Sequence, residues 1–535
     1  MNKFLKYFTF SCLTVLGLAA CTDLEEDLIG DITRDITVDG IDVGGGGDAG
    51  GELTAAYAEL RNAGTANHGS YYAIQELTSD EMLIGAKGGD WFDGGILIQL
   101  HQHTYTPTHD FVKNAWNGIY NAIGTVNDKL GGGTLSPEET AQARALRAHF
   151  YWRLLDLFGN VKIVTETDTD PPQTDRAALF NFVESELLAA LGIAEVSANM
   201  DLSNSLLADG GSAYILNRYG ALGILSKLYL NAEVYVGTPM YDKAEMAASY
   251  IIDSGVYVLC DAGCTVTNLG KRPKVDADPA ELEGYAAVFA PNNEGNPEHI
   301  FSVMYDEVSG GGMNFSQMNL HYSSQFTWNF DAQPWNGYAT VEEFYNSYSN
   351  GDKRRVNNFI VGPQLDFSGS ALLDFAADDD NIQLNYTPAI NELAPNSIRE
   401  AGARPSKFSF KQFGRPDMDN DFPIVRLGEI YLTRAEAKAR QSGNWGDAMS
   451  DLNILRARAG VSEYKGDGDL TADEFLAERG REMFQETSRR TDLIRFGQYG
   501  QAWWEKPASE AFRTIFPIPQ EQIDAGTGLT QNPGY

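Results

Sequence analysis

Tyr229-Leu230-Asn231-Ala232-Glu233-Val234-Tyr235-Val236-Gly237-Thr238-Pro239-Met240-Tyr241-Asp242-Lys243-Ala244 is the stretch whose reading decides the fold. A helix carrying Tyr229 and Leu230 runs into a glycine turn at Gly237. An aromatic, Tyr241, starts a second helix, and a small residue, Ala244, follows three positions on. Small residues at such positions let two helices pack closely. The arrangement returns two hundred residues later: Tyr431-Leu432 with Ala435, then Gly443, then Trp445 with Ala448.

Glycine turn, aromatic start and small residue one turn on are tetratricopeptide-like features. Outward from them, helical periodicity continues. Leu146, Phe150, Leu154 and Phe158 recur four apart within Gln142 to Phe158, an amphipathic stripe. Phe180 to Ile193, Ala213 to Val236, Asp242 to Ile252, Arg426 to Arg440, Trp445 to Arg458 and Ala472 to Glu486 read the same way. Thr265 to Asp421 differs: glycines, asparagines, aromatics and short β-like runs such as Ile300-Phe301-Ser302-Val303. The expected fold is mostly α, a tetratricopeptide-like helix-pair scaffold with a long loop-rich insertion carrying short strands.

The N-terminus reads as an export signal. Lys3 and Lys6 precede an apolar run from Phe8 to Leu18, which ends in Leu18-Ala19-Ala20-Cys21. A run this short is a signal-peptide core rather than a membrane span. Cys21 is the expected lipid attachment site and first residue of the mature chain, because small residues precede the cut and its thiolate is a good nucleophile for taking up a diacylglycerol group. Thr22-Asp23-Leu24-Glu25-Glu26-Asp27 follows as an acidic, solvated tether. Gly45 to Gly50 spells G-x-G-x-x-G, but without a following ribose-binding acid on a parallel strand it reads as a flexible entry loop. The expected boundaries are 1–20 signal, 21–51 acidic and Gly-rich tether, 52–264 N-terminal helical region, 265–421 insertion and 422–535 C-terminal helical region, all in one integrated fold.

With 40 Lys+Arg against 74 Asp+Glu the net charge is -34, which repels phosphate backbones and excludes nucleic acid as an expected partner. Anionic lipids and acidic glycans are disfavoured as well; neutral oligosaccharides and peptides stay open. Cys260 and Cys264, spaced C-x-x-x-C, read as a small disulfide rather than a metal site in an oxidising compartment.

The C-terminal third resembles the RagB/SusD family of Bacteroidetes surface lipoproteins. The likeness is carried by Pro423 to Ala437, by Asp451 to Gly460, by Glu478 to Glu486 with Arg489 to Gly497, and by Phe516 to Ile523 with Gln531 to Tyr535. Glu76 to Glu81, Trp116 to Tyr120 and Arg144 to Gly159 fit the N-terminal half. The acidic stretch after Cys21 resembles the surface-export signal of such lipoproteins. Thr487 departs from the pattern, standing where the family usually has glycine, and Ala525-Gly526-Thr527-Gly528 replaces an Asn-Pro step.

The resemblance implies a non-catalytic lid on a SusC-like TonB-dependent outer-membrane transporter, to which it delivers oligosaccharide or polysaccharide. It implies lipid anchoring on the outer face of the outer membrane and no cofactor. A peptide-binding member of the family and a surface glycoside hydrolase are the alternatives. Asp492, Arg495, Glu429, Arg434 and Glu436 read as a polar network between helices.

Sugars lay their C–H faces on aromatic rings beside amides and carboxylates. Two segments fit. Gly88 to Gly95 holds Trp91, Phe92 and Asp93 in a glycine loop; His321 to Tyr345 holds eight aromatics in 25 residues. Candidate ligand contacts are Trp91, Phe92, Asp93, Tyr322, Trp328, Trp335, Asn336 and Tyr338. Phe326, Trp328 and Phe330 alternate and also read as one face of a short strand, whereas Trp335 to Tyr338 reads as a turn. No G-x-S-x-G, H-E-x-x-H or P-loop occurs, and no catalytic residues or metal ligands are assigned. His101 and His103, alternating as on a strand, read as structural. Asp417, Asp419 and Asp421 alternate like calcium ligands but lack the glycine and closing glutamate of an EF-hand.

Overall fold

The computed structural model describes residues 51–308, 311–376, 382–466 and 468–535, together with a separate antiparallel pairing of Thr37–Val38 with Ile41–Asp42. The expected signal, Cys21 and most of the tether lie outside the described residues.

The protein is mostly helical. Its longer helices are α1 (Thr54–Asn62), α2 (Asp110–Gly131), α3 (Pro137–Leu157), α4 (Arg176–Leu191), α5 (Arg218–Leu230), α6 (Tyr241–Asp253), α7 (Leu427–Ser442), α8 (Met449–Ala459) and α9 (Ala472–Met483). Each of α2 to α8 packs on its predecessor. Between α6 and α7 the chain leaves the array and returns, so the two hairpins matched in sequence lie side by side. Residues 254–426 are the insertion between them. It holds short helices and strands of two or three residues, apart from β1 (His299–Val303), which pairs antiparallel with β2 (Phe422–Arg426).

Local chemistry explains the boundaries. Ser136 and Glu139 form a reciprocal capping box with Pro137 at the first turn of α3. α3 is buried on nearly every side between α2 and α4, more fully than an amphipathic stripe requires. The expected helix from Ala213 to Val236 is broken at both ends. The Asn217 side chain accepts from the backbone N–H groups of Tyr219 and Gly220 at 3.0 Å, starting α5 at Arg218. Asn231 then interrupts it before a short helix, Ala232–Val236. Trp445 to Ala448 is a 3₁₀ turn rather than α-helix, because the Asn444 side chain takes the Gly446 N–H.

β2 lies across α5, and the approach is close. A Cβ placed on Gly223 would meet Val425 Cγ1 at 2.4 Å, so only glycine fits there.

Behind β2 a buried ionic network joins the insertion to the C-terminal helices. Arg426 reaches Glu298, Glu482 and Glu486 at 2.8, 3.0 and 2.7 Å. Arg354 reaches Asp352, Glu478 and Glu482 at 2.8, 2.9 and 3.2 Å. Arg458 and Lys407 complete it on Glu482 and Glu486. Arginine forks suit this shared, desolvated role. The network also explains why α9 stops at Met483: Gln485 and Thr487 turn left-handed, with φ of 63° and 59°, and Glu486 points into the cluster.

The polar pairs read from sequence are partly rearranged. Arg495 does bind Glu436 and Asp492, each at 2.7 Å. Arg434 takes Asp451 at 2.6 Å, while Glu429 goes to Lys227 at 2.6 Å. Helical spacing names a side chain's face but not which neighbouring helix supplies its partner.

Candidate functional site

Two loops far apart in sequence meet because Met82–Leu83 pairs antiparallel with Ala339–Thr340. Beyond that pairing, Lys87 and Asp90 close a tight turn across Gly88-Gly89 through reciprocal backbone bonds of 2.8 and 3.3 Å. The next residues, Trp91 and Asp93, are left-handed, with φ of 61° and 41°. That unusual backbone turns the indole toward the facing loop.

There the Trp91 indole N–H donates to the Trp335 carbonyl at 2.6 Å. A Cβ on Gly337 would stand 2.7 Å from the Met318 carbonyl and 3.0 Å from the Trp91 ring, so this glycine permits the approach. Trp335 and Phe92 are exposed, at 46% and 48%, and Trp91 partly so. Beside them Tyr322 donates its hydroxyl to Asp90 at 2.7 Å. Burial and that carboxylate push the phenol up to about 12, so it stays a neutral hydrogen-bonding group. Asp93 is exposed.

Beneath the surface His68 packs edge-on to Trp91, Phe111 and Tyr338, with ring centroids 5.7, 5.1 and 5.7 Å apart. Burial holds its pKa down to about 4, so the ring is neutral at physiological pH. The buried Lys87 Nζ donates to the Gly85 carbonyl at 3.1 Å.

The result is a partly exposed aromatic surface with a carboxylate–phenol pair at its edge. Such a surface stacks on apolar faces and accepts or donates hydrogen bonds at its rim.

Three expected contact residues are placed elsewhere. Asn336 is buried with φ of 60°, its amide donating to the Arg399 carbonyl at 3.1 Å. Tyr338 is also fully buried, with its hydroxyl 3.1 Å from His68 Nδ1. Both support the turn from below: the turn residues do emerge, but the main chain needs Asn336 for its left-handed corner. Trp328 stacks on Phe330 at 5.7 Å and meets Phe410 at 5.3 Å. Nor is its segment a strand: Gln325–Trp328 is a short helix closed by left-handed Asn329.

Sequence reasoning missed Asp90, His68 and Gly337. Asp90 lies inside the glycine loop already singled out. His68 and Gly337 have no local signature, since each matters only through Trp91.

The other candidate ligands have separate structural partners. His101 ends a short helix with Nε2 2.8 Å from the Trp504 carbonyl, and left-handed His103 lies 2.9 Å from that of Thr78. Asp417 accepts from the Gly312 N–H at 3.0 Å, Asp419 from that of Glu307 at 2.9 Å, and Asp421 from that of Tyr305 at 3.2 Å. Cys260 and Cys264 are bonded to each other. Among the described residues no helix is long and apolar enough to cross a membrane.

The helix-pair scaffold thus carries an aromatic surface formed jointly by a loop before α2 and a loop of the insertion. Residues 402–535 match the model of the SusD family. The starch-binding protein SusD of Bacteroides thetaiotaomicron is 27% identical over 442 residues, covering 74% of this chain and 73% of that protein. A laminarin binding SusD-like protein superposes with a TM-score of 0.66 at 21% identity, over 90% of this chain and 98% of that one. Surface glycan-binding protein A from Bacteroides thetaiotaomicron, in complex with laminarihexaose, gives 0.67 at 20% identity with the same coverage. The chain is thus similar to the SusD family model over its last quarter and to SusD-like proteins over most of its length.

Proposed function

We propose that this protein captures a neutral oligosaccharide or polysaccharide at the cell surface, without catalysis, and passes it to a SusC-like TonB-dependent transporter. The observation that carries the reading is the Trp91–Trp335 contact, which fixes an aromatic surface flanked by Asp90, Tyr322 and Asp93. Pre-set rings lose little conformational freedom on stacking against a sugar, so binding energy is not spent on ordering the site. The net charge of -34 disfavours anionic glycans. The relatives named for starch and laminarin binding support the same ligand class. Lipidation at Cys21 and the acidic tether would hold the site above the outer membrane, within reach of a transporter.

Titration of the protein against starch, laminarin and other neutral polysaccharides tests the reading, with reducing-sugar release followed in parallel. Binding without release is expected. Cleavage of the glycan, or binding of peptides in place of every glycan, overturns it. Co-isolation of a TonB-dependent transporter with the anchored protein tests the hand-over.

A further inference from the structure

A second, interior feature lies well apart from the aromatic surface. α3, α5, α7, β2 and the segment after α9 line a pocket of about 50 Å³. Arg153 and Trp152 of α3 line it with Lys227, Arg479 and Ser488, and none of these belongs to the surface described above.

The acids in its wall are already engaged. Glu429 binds Lys227 at 2.6 Å and Arg479 at 3.5 Å. Asp492 binds Arg479 at 2.8 Å and Arg495 at 2.7 Å. Glu486 binds Arg426 at 2.7 Å. Arg153 differs from the other cations. It is 2% exposed, its Nη2 donates to Thr65 Oγ1 at 2.7 Å, and its guanidinium lies over the Tyr71 ring at 4.2 Å. No carboxylate pairs with it among the described residues, and its Nε and Nη1 have no hydrogen-bond partner there. Three further groups in the same wall share that condition: the His149 ring, Arg479 Nη1 and Ser488 Oγ.

A buried polar atom needs a partner, and a buried charge needs a counter-charge. Water supplies the first but not the second. We infer that this cavity binds one small monovalent anion, halide in size, as the counter-ion of Arg153. A water takes about 10–15 Å³ of such space, so a volume of about 50 Å³ holds one ion and a few waters. A sugar ring does not fit, which separates this site from the proposed glycan surface.

Bromide is the probe. Anomalous diffraction from crystals soaked in sodium bromide is expected to show a peak within about 3.5 Å of the Arg153 guanidinium, a charge-assisted contact lengthened for the larger ion. In solution, exchange of gluconate for bromide at fixed ionic strength is expected to raise the Tm of the wild-type protein saturably, by about 2 °C. Arg153→Met should remove that response. A cavity holding water alone in the bromide crystals overturns the inference even if the variant fails to fold. An equal bromide response in wild type and Arg153→Met assigns the effect to general salt and overturns it too.

Discussion

One nitrogen of Arg426, Nη1, serves both Glu298 and Glu482, at 2.8 and 3.0 Å, and so ties the start of β1 to the last turn of α9. All three side chains are buried. Their mutual attraction offsets desolvation only while the set is complete.

Loss of one member should therefore be severe. Arg426→Met leaves several carboxylates facing one another and is expected to cost about 3–5 kcal/mol. Equilibrium urea unfolding would measure it. A cost under about 1 kcal/mol, the scale of an exposed pair, would mean that the network is solvated.

At the aromatic surface, Trp91→Ala and Trp335→Ala should each weaken binding of the best neutral glycan by about 1–3 kcal/mol, the scale for one buried ring. That is roughly 5- to 150-fold in Kd. Trp328→Ala should leave affinity unchanged and lower stability instead, because its ring packs on Phe330 and Phe410. Calorimetric titration beside thermal melts separates the two effects. Unchanged affinity in both Trp91 and Trp335 variants, with normal melting, would place the ligand elsewhere.

Burial pushes the Asp421 carboxyl up to about 7, against its ordinary 3.8, despite hydrogen bonds from Tyr214 and Tyr305; Glu294 and Asp419 add to the rise. A carboxyl raised by folding holds its proton more tightly in the native state. Its contribution is therefore complete below about pH 4 and is lost as pH rises through 7. Asp421→Asn lacks that loss. Its stability relative to wild type should grow by about 2–4 kcal/mol between pH 4 and pH 7 and then level off. Paired denaturation curves across this range would show it; a constant difference would mean that the carboxyl is ionised throughout.

Thr487 holds φ of 59°, a conformation that a β-branched residue tolerates badly. Thr487→Gly should thus raise stability by about 1 kcal/mol, as relief of left-handed strain outweighs the added freedom of the unfolded chain. A decrease would show that the threonine side chain contributes more than its backbone costs.

The scaffold was legible because helical period, turn glycines and small packing residues are local. Tyr241 with Ala244 and Trp445 with Ala448 each announce a helix pair on their own. Where reading failed, the deciding partner was remote. Asn217 and Asn444 set where helices begin through caps that periodicity does not register. Asn336 and Tyr338 look like exposed turn residues until Arg399 and His68 are seen above and below them. The aromatic clusters pointed to the correct pair of loops. Which rings stand out of them is set by contacts with segments hundreds of residues away, and composition carries no record of those.

The departure of the chain after α6 and its return at α7 bears on how such proteins diversify. Both ends of the insertion rest on neighbouring helices, and Arg354 and Lys407 key its interior to α9 and the residues just after it. Exposed rings outside those keys, Phe92 and Trp335 among them, can be exchanged without disturbing the frame. On the proposed reading, a change of glycan asks for new exposed rings at two loop tips and leaves the frame as it is.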